Sequence, residues 1–222
     1  MKTVIIIPAF NESSRIGEVL GGLSSIPAEV LVVDDGSTDD TAKVAELYPV
    51  RVIRHDLNLG QGAALETGME AARLLNADFV IHFDADGQHD PEDIERLLSP
   101  LLNAEMDIVF GSRFLDRKPQ DLSISRKIIL KTGRWINYVL TGILLSDAHN
   151  GLRAMNKKAI WAIHFKQPGM AHASEILYTV RKERLRYTEI PVHIRYTPDS
   201  KLKGQGMLNA INILFHLLFK RN

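Results

Sequence analysis

Residues Val80 to His89 read VIHFDADGQH, an apolar run that ends on two aspartates one residue apart, followed by a glycine, a glutamine and a histidine. Alternation along an extended chain puts Asp84 and Asp86 on one side, so two carboxylates can converge on a hard cation that prefers oxygen ligands. That chemistry suits a divalent metal holding a diphosphate. The same residues could also form a solvated acidic turn, because Asp and Gly favour turns on their own account. Asp-x-Asp is short, and its surroundings must decide between the two.

Those surroundings alternate buried-strand runs with amphipathic runs. Val4 to Pro8, Glu29 to Asp35, Val50 to His55, Asp78 to Asp84 and Asp107 to Ser112 read as strands, with helical patterns at Ser14 to Leu23, Asp40 to Leu47, Gly62 to Leu75 and Pro91 to Leu102. Short, nearly continuous apolar strands between helices predict an α/β fold with a mostly parallel sheet flanked by helices. Ligands of such sheets sit at the carboxyl ends of the strands. PAFNES follows the first strand, DDGSTDD the second and DADGQH the fourth, so three polar motifs share one predicted edge. Neither GxGxxG nor GxxxxGK[ST] occurs, which argues against dinucleotide enzymes and phosphate-loop NTPases. The glycines of NLGQGAA (Asn58 to Ala64) could bring backbone N–H groups to an anion, or could simply shape a helix entry.

The 222 residues suit one large domain, or one domain with an appendage, and the absence of cysteine excludes disulfides and thiolate metal sites. Met1 runs almost directly into a strand pattern, so no signal peptide is expected. Formal net charge is zero, yet charge is segregated along the chain. Asp84 to Asp107 holds eight acidic residues against one arginine; Arg113 to Arg134 holds seven cations against two aspartates, and Arg181 to Arg221 nine against three. A polar ligand between unlike surfaces, or an anionic surface beside the basic segments, would use that asymmetry.

The second half departs from simple alternation. Lys127, Lys131 and Arg134 make a cationic stripe at helical spacing before the uncharged run Trp135 to Ser146, which is too short for the ~20 residues of a spanning helix. In MLNAINILFHLLFKRN the polar residues Asn209, Asn212, His216 and Lys220 form one narrow stripe. Both segments read as amphipathic helices that could lie in a membrane interface; the last could instead meet a membrane-protein partner, form a homodimer seam or pack on its own domain. Phe165 to Gly169 and Tyr196 to Ser200 read as loops.

Seven motifs in order, PAFNE, VDDGSTD, NLGQGAA, DADGQH, GSR (Gly111 to Arg113), DAHNGLR (Asp147 to Arg153) and YTPDSKLKGQ (Tyr196 to Gln205), resemble family 2 glycosyltransferases. Their spacing is most similar to the dolichol-phosphate mannose and glucose synthase group. The resemblance implies a single GT-A domain, Rossmann-like, with residues 1–115 binding the nucleotide sugar and residues 116–222 serving the acceptor. It implies a GDP- or UDP-hexose donor, Mg²⁺ or Mn²⁺, inversion at the anomeric carbon and a polyprenyl phosphate acceptor. By motif, Pro8, Phe10 and Glu12 would border the nucleobase and ribose, and Asp34 or Asp35 would contact base or ribose. Asp84 and Asp86, with Ala85 between them and Gln88 helping, would carry the metal against the donor diphosphate. Arg113, Arg195 and Lys201 match basic positions that grip phosphates. The location implied is cytoplasmic, peripheral at the cytoplasmic membrane face, with no nucleic-acid partner. DADG in place of DADL, and PDSK followed by KGQ in place of a GxSK loop, leave the sugar unassigned.

Physical chemistry supports those roles. Breaking a sugar–diphosphate bond builds negative charge on the leaving nucleotide, which a Lewis-acidic cation stabilises. Arginine suits phosphate because its planar fork donates two parallel hydrogen bonds. An attacking phosphate is already anionic, whereas a saccharide hydroxyl would need a carboxylate base, for which Glu175 in HASEIL is the candidate; a helix-face ion pair is its other reading. His172 and Glu175 share a face at i, i+3 but lack an evident third metal ligand. His89 either borders the donor phosphates or caps the Asp90-Pro91 helix entry. Asn150, Gly151 and Arg153 shape either the acceptor side or a core turn. A saccharide-hydroxyl transferase, a non-enzymatic nucleotide-sugar sensor and a nucleotidyltransferase are the rival functions.

Overall fold

The computed structural model describes residues 1–115, 135, 138, 139, 141–148, 150–166 and 172–195. Lys201, the stripe of Lys127, Lys131 and Arg134, the loop 196–200 and the C-terminal amphipathic segment lie outside the described residues. Seven strands are present among those described: β1 (Thr3–Ala9), β2 (Glu29–Asp34), β3 (Arg51–Arg54), β4 (Phe79–His82), β5 (Ile108–Ser112), β6 (Arg153–Asn156) and β7 (Tyr187–Pro191). They form one sheet in the order β3-β2-β1-β4-β6-β5-β7. Only β6 runs against the others, pairing antiparallel with β4 on one side and β5 on the other. The carboxyl ends of the remaining strands and the amino end of β6 therefore share one edge.

The pattern of burial explains the centre of this sheet. Val4, Ile5, Ile6 and Ile7 on β1 are all fully buried, because consecutive side chains point to opposite faces and both faces are covered. Each such side chain contributes about 1.5–3 kcal/mol of burial. One face packs on helix α1 (Ile16–Leu23) and α4 (Asp93–Leu102). On α1 the buried residues Ile16, Val19, Leu20 and Leu23 fall at i, i+3, i+4 and i+7, a helical stripe. The other face carries α3 (Gln61–Leu74), the short α5 (Lys157–Ala162) and α6 (His172–Lys182). The small α2 (Thr41–Ala45) follows β2.

The five predicted strands and four predicted helices of the first half all form; β1 is one residue longer at each end, α3 is shifted by one residue, and the others are shorter than predicted. The third-strand pattern shortens to Arg51–Arg54 and the fourth ends at His82, two residues before the first aspartate of the acidic motif. Phe165 and Lys166 lie outside helix and strand, as their loop reading predicts. No helix among the described residues is long and apolar enough to cross a membrane.

Candidate active site

The loops after β1 and β2 are stitched into one floor. The backbone N–H of Asp35 donates to Ala9 O at 2.8 Å, Asn11 N to Ser37 Oγ at 2.9 Å, Glu12 N to Thr41 Oγ1 at 2.8 Å and Thr38 N to Asn11 Oδ1 at 2.9 Å. Asn11 has φ 54°, a left-handed conformation that asparagine tolerates better than most residues. The turn points Phe10 outward at 43% exposure, while Pro8 is half-buried. Glu12 forms an ion pair with Arg15 at 3.1 Å.

Asp34 and Asp35 are buried and directed into the chain. Asp34 accepts from Ser37 N at 3.0 Å, and its other oxygen, Oδ2, lies 3.3 Å from Arg54 Nε without a hydrogen bond among the described residues. Asp35 accepts from Leu59 N at 3.0 Å and Gly60 N at 2.7 Å, and its Oδ1 is 2.7 Å from His55 Nδ1. Gly60, at φ 95° and ψ 155°, occupies backbone space open essentially to glycine alone. Asp35 thus anchors the NLG turn that launches α3. Gln61, the first residue of that helix, directs Nε2 to Asp84 Oδ1 at 3.4 Å.

The acidic motif lies on a turn beyond β4 rather than on the strand itself. Asp84 Oδ2 accepts from His89 Nε2 at 3.0 Å. Asp86 accepts from Gln88 twice, from the backbone N at 3.0 Å and from Nε2 at 2.6 Å. Ala85 is 4% exposed and packs with the α1–α4 core, so only its backbone could face a ligand. Burial pushes the Asp84 carboxyl up, but the His89 hydrogen bond and the charges of His89, Arg153 and His172 outweigh it and hold Asp84 below the ordinary carboxylate range. Asp86 is displaced upward, by burial first and then by the like charge of Asp84. A cation between them would relieve that repulsion, and the donor set of two carboxylates and the Gln88 amide oxygen is the hard oxygen type that Mg²⁺ and Mn²⁺ take. Among the described residues, no group of three or more His, Cys, Asp or Glu side chains is placed to hold a metal ion.

Behind the motif lies a buried polar layer. His82, 2% exposed, faces Arg153 directly across the β4–β6 ladder. Burial, with the charges of Arg153 and His172, keeps His82 neutral well below its usual range. Arg153 is 2% exposed; burial lowers it to about 10 against the opposing pull of Asp84 and Asp147. His82 Nδ1 and Nε2, His89 Nδ1 and Arg153 Nη1 have no hydrogen-bond partner among the described residues.

Two predicted cations reach the same edge. Arg195 donates its backbone N–H to Gln88 O at 2.8 Å, next to a bridge between His89 and Ile194, and its Nη2 meets Asp90 at 2.9 Å. Arg113 leaves β5 and forms a fork with Asp147, through Nε at 2.7 Å and Nη2 at 2.8 Å, while its backbone N adds a third bond at 3.1 Å. Glu175 sits in the first turn of α6, its carboxylate accepting from Lys166 N at 3.2 and 3.3 Å. Sequence reasoning left Gln61, His55 and Glu189 unassigned. Gln61 was legible as the residue opening the helix after NLG; Glu189, in the unread strand β7, carried no signal.

The Glycosyl transferase family 2 profile matches residues 4–163. The chain is similar to a UDP-N-acetylglucosamine–dolichyl-phosphate N-acetylglucosaminyltransferase of Methanococcus voltae, 31% identical over 96% of this chain and 94% of that protein. It is likewise similar to an undecaprenyl-phosphate mannosyltransferase of Micrococcus luteus, 32% identical over 92% of this chain and 88% of that one. In fold it resembles the glucosyl-3-phosphoglycerate synthase of Mycobacterium tuberculosis crystallised with Mn²⁺, UDP and phosphoglyceric acid, at TM-score 0.68 and 20% identity, covering 98% of this chain and 78% of that one. A mixed sheet with polar motifs gathered at its carboxyl edge, a match across most of the chain and relatives this similar over nearly their whole length together make the protein a glycosyltransferase that belongs to family 2, within the group that includes the polyprenyl-phosphate sugar synthases.

Proposed function

We propose that this enzyme transfers a hexose-type sugar from a UDP- or GDP-sugar to a polyprenyl phosphate, with inversion, at the cytoplasmic face of a membrane. The observation that carries the reading is the placement at one sheet edge of Asp84, Asp86 and Gln88, with the Arg195 backbone N–H bonded to Gln88 O, and of Arg113 just past the end of β5, where a donor diphosphate and an acceptor phosphate must both be held. Residues 1–115 serve the donor and residues 116–222 the acceptor within one domain. Phe10, Pro8 and Glu12 border the base and ribose; Asp35 acts there by fixing the loops, given how its carboxylate is spent, while Asp34 keeps one oxygen without a hydrogen bond among the described residues. The named relatives use dolichyl or undecaprenyl phosphate, which favours a phosphate acceptor over a hydroxyl.

Asp84 and Asp86, with Gln88, would hold Mg²⁺ or Mn²⁺, which when bound stabilises the charge growing on the leaving diphosphate. A phosphate oxygen of the acceptor attacks the anomeric carbon from the face opposite the diphosphate. The new carbon–oxygen bond forms as the old one breaks, and the nucleoside diphosphate leaves with the bonding pair. No proton has to be removed from the nucleophile, so the reaction makes no demand on Glu175 as a base. Arg113 and Arg195, with Lys201, orient the phosphates. Trp135, Tyr138 and Val139, exposed at 68, 47 and 61%, offer an apolar face to the membrane that holds the acceptor.

The test incubates the full chain with radiolabelled UDP- and GDP-sugars, Mn²⁺ and polyprenyl phosphate. A lipid-extractable product that releases its sugar in mild acid is expected. Transfer that is indifferent to polyprenyl phosphate, or a product stable to acid, refutes the phosphate acceptor.

A further inference from the structure

The DAHNGLR segment touches both halves of the site within a span of seven residues. At one end Asp147, 5% exposed, receives the Arg113 fork and a further bond from Asn150 Nδ2 at 3.3 Å. Asp147 is itself fixed from below: the Glu189 carboxylate on β7 accepts from Ser146 N at 2.8 Å and from Asp147 N at 3.2 Å. In the middle, Gly151 lies against the acidic motif. A Cβ there would stand 2.0 Å from Asp84 Oδ2 and 2.5 Å from its Cγ, closer than any side chain can approach. At the far end Arg153 donates Nε and Nη2 to Asn150 O at 3.1 and 3.0 Å, pinning the turn to β6.

We infer that Asp147, Asn150, Gly151 and Arg153 form a clasp that sets the separation between the Asp84 carboxylate and the Arg113 guanidinium, with Asp147 and Gly151 as positioning residues. The physical basis is the stiffness of each contact. A bidentate Arg–carboxylate pair fixes both distance and plane, unlike a point contact. The glycine leaves the Asp84 carboxylate the space that any larger residue at 151 would take. Because both contacts belong to one short turn hydrogen-bonded at its ends, neither group can shift without the other. Groups that must engage one substrate at two points need their geometry held to about half an ångström. The clasp does this from outside the substrate. It also accounts for a buried arginine whose charge is felt by both Asp84 and Asp147 while its hydrogen bonds go to the turn between them.

The inference rests on Asp84 as a ligand of the divalent ion, so the test separates the two. Mn²⁺ binding to the full chain in the presence of UDP is followed by the loss of the free-ion electron paramagnetic resonance signal, for the parent and for Gly151→Ala. The parent should bind, and the variant, shown to be folded by its far-ultraviolet circular dichroism, should bind at least tenfold more weakly. No binding by the parent overturns the metal reading itself; equal binding by parent and variant overturns the clasp alone. A second arm compares Asp147→Asn, Arg113→Met and the double variant by kcat/KM. If Asp147 acts through Arg113, the double variant loses no more than Arg113→Met alone. Multiplying losses overturns that half of the clasp.

Discussion

Asp35 offers the sharpest separation between a residue that contacts ligand and one that builds the place where ligand sits. Its carboxylate accepts two backbone N–H groups, from Leu59 and Gly60, and faces His55 Nδ1, all at 3.0 Å or less, at a position 3% exposed. Asp35→Ala leaves these three groups without their acceptor. A buried donor left unsatisfied costs about 1–3 kcal/mol, and because the NLG turn can relax toward water the sum should settle near about 3–5 kcal/mol. For a chain of this size roughly 2–4 °C of melting temperature accompanies each kcal/mol, so the variant should melt roughly 6–20 °C below the parent. Asp35→Asn keeps one acceptor oxygen but turns an NH₂ toward another donor, and should fall in between. The assay is thermal unfolding by circular dichroism, paired with UDP and GDP titration by calorimetry. If Asp35→Ala melts within about 2 °C of the parent yet loses nucleotide binding, the carboxylate is a ligand contact and the structural role assigned to it is wrong.

Other consequences are equally direct. Asp86→Asn removes a carboxylate whose ionisation is already opposed by burial and by Asp84, so the metal-free protein should melt no lower than the parent. Turnover should nevertheless fall by about 10²–10³, the equivalent of roughly 3–4 kcal/mol of lost transition-state stabilisation, and full activity would sink the metal assignment. Gly68→Ala puts a Cβ 2.3 Å from Ile6 Cγ2 where α3 crosses β1; overpacking of this kind costs about 1–3 kcal/mol, to be read as a lower urea midpoint without change in slope. Asp107 is held well below the ordinary carboxylate range: burial pushes it up, but hydrogen bonds from Arg186, Asn156 and Lys158 prevail. A depressed carboxylate contributes stability in full above its unfolded pKa of ~4 and loses it as pH falls through the folded value. The parent should therefore lose melting temperature on acidification below about pH 4 more steeply than Asp107→Asn, and parallel curves would refute this.

The first half of the fold was legible because its strands advertise themselves. Val4 to Ile7 and Val30 to Val33 are apolar without interruption, and only a strand covered on both faces asks for that. β6 and β7 gave no such signal. The Arg153 of RAMN looks like a surface residue until Asn150 O receives its guanidinium, and YTEIP is partly exposed along its length. Strand alternation was the reading for the acidic motif, whereas a turn beyond β4 carries it. Arg113 and Asp147 were both visible as motif residues, yet their fork spans 34 positions and depends on β5 and β6 being neighbours. The burial of Asp34 and Asp35 was hidden for the same reason: the groups that consume the Asp35 carboxylate come from residues 55–60 and become partners only when the sheet closes. Local patterns reveal elements; which charges cancel is a property of topology.

The reversed strand β6 has a consequence for how such an enzyme could diversify. β5 ends and β6 begins at the same edge, with Phe110 hydrogen-bonded in register beside Arg153. The chain between them departs from and returns to adjacent points, so its length is nearly decoupled from the rest of the sheet, and adding residues there carries only the slowly growing entropy of a longer closed loop. Strands β1 to β4 need not adjust at all. The sheet therefore tolerates a change of length between β5 and β6 as long as Ile143 and Leu145 still fill the core and Arg113 still meets Asp147.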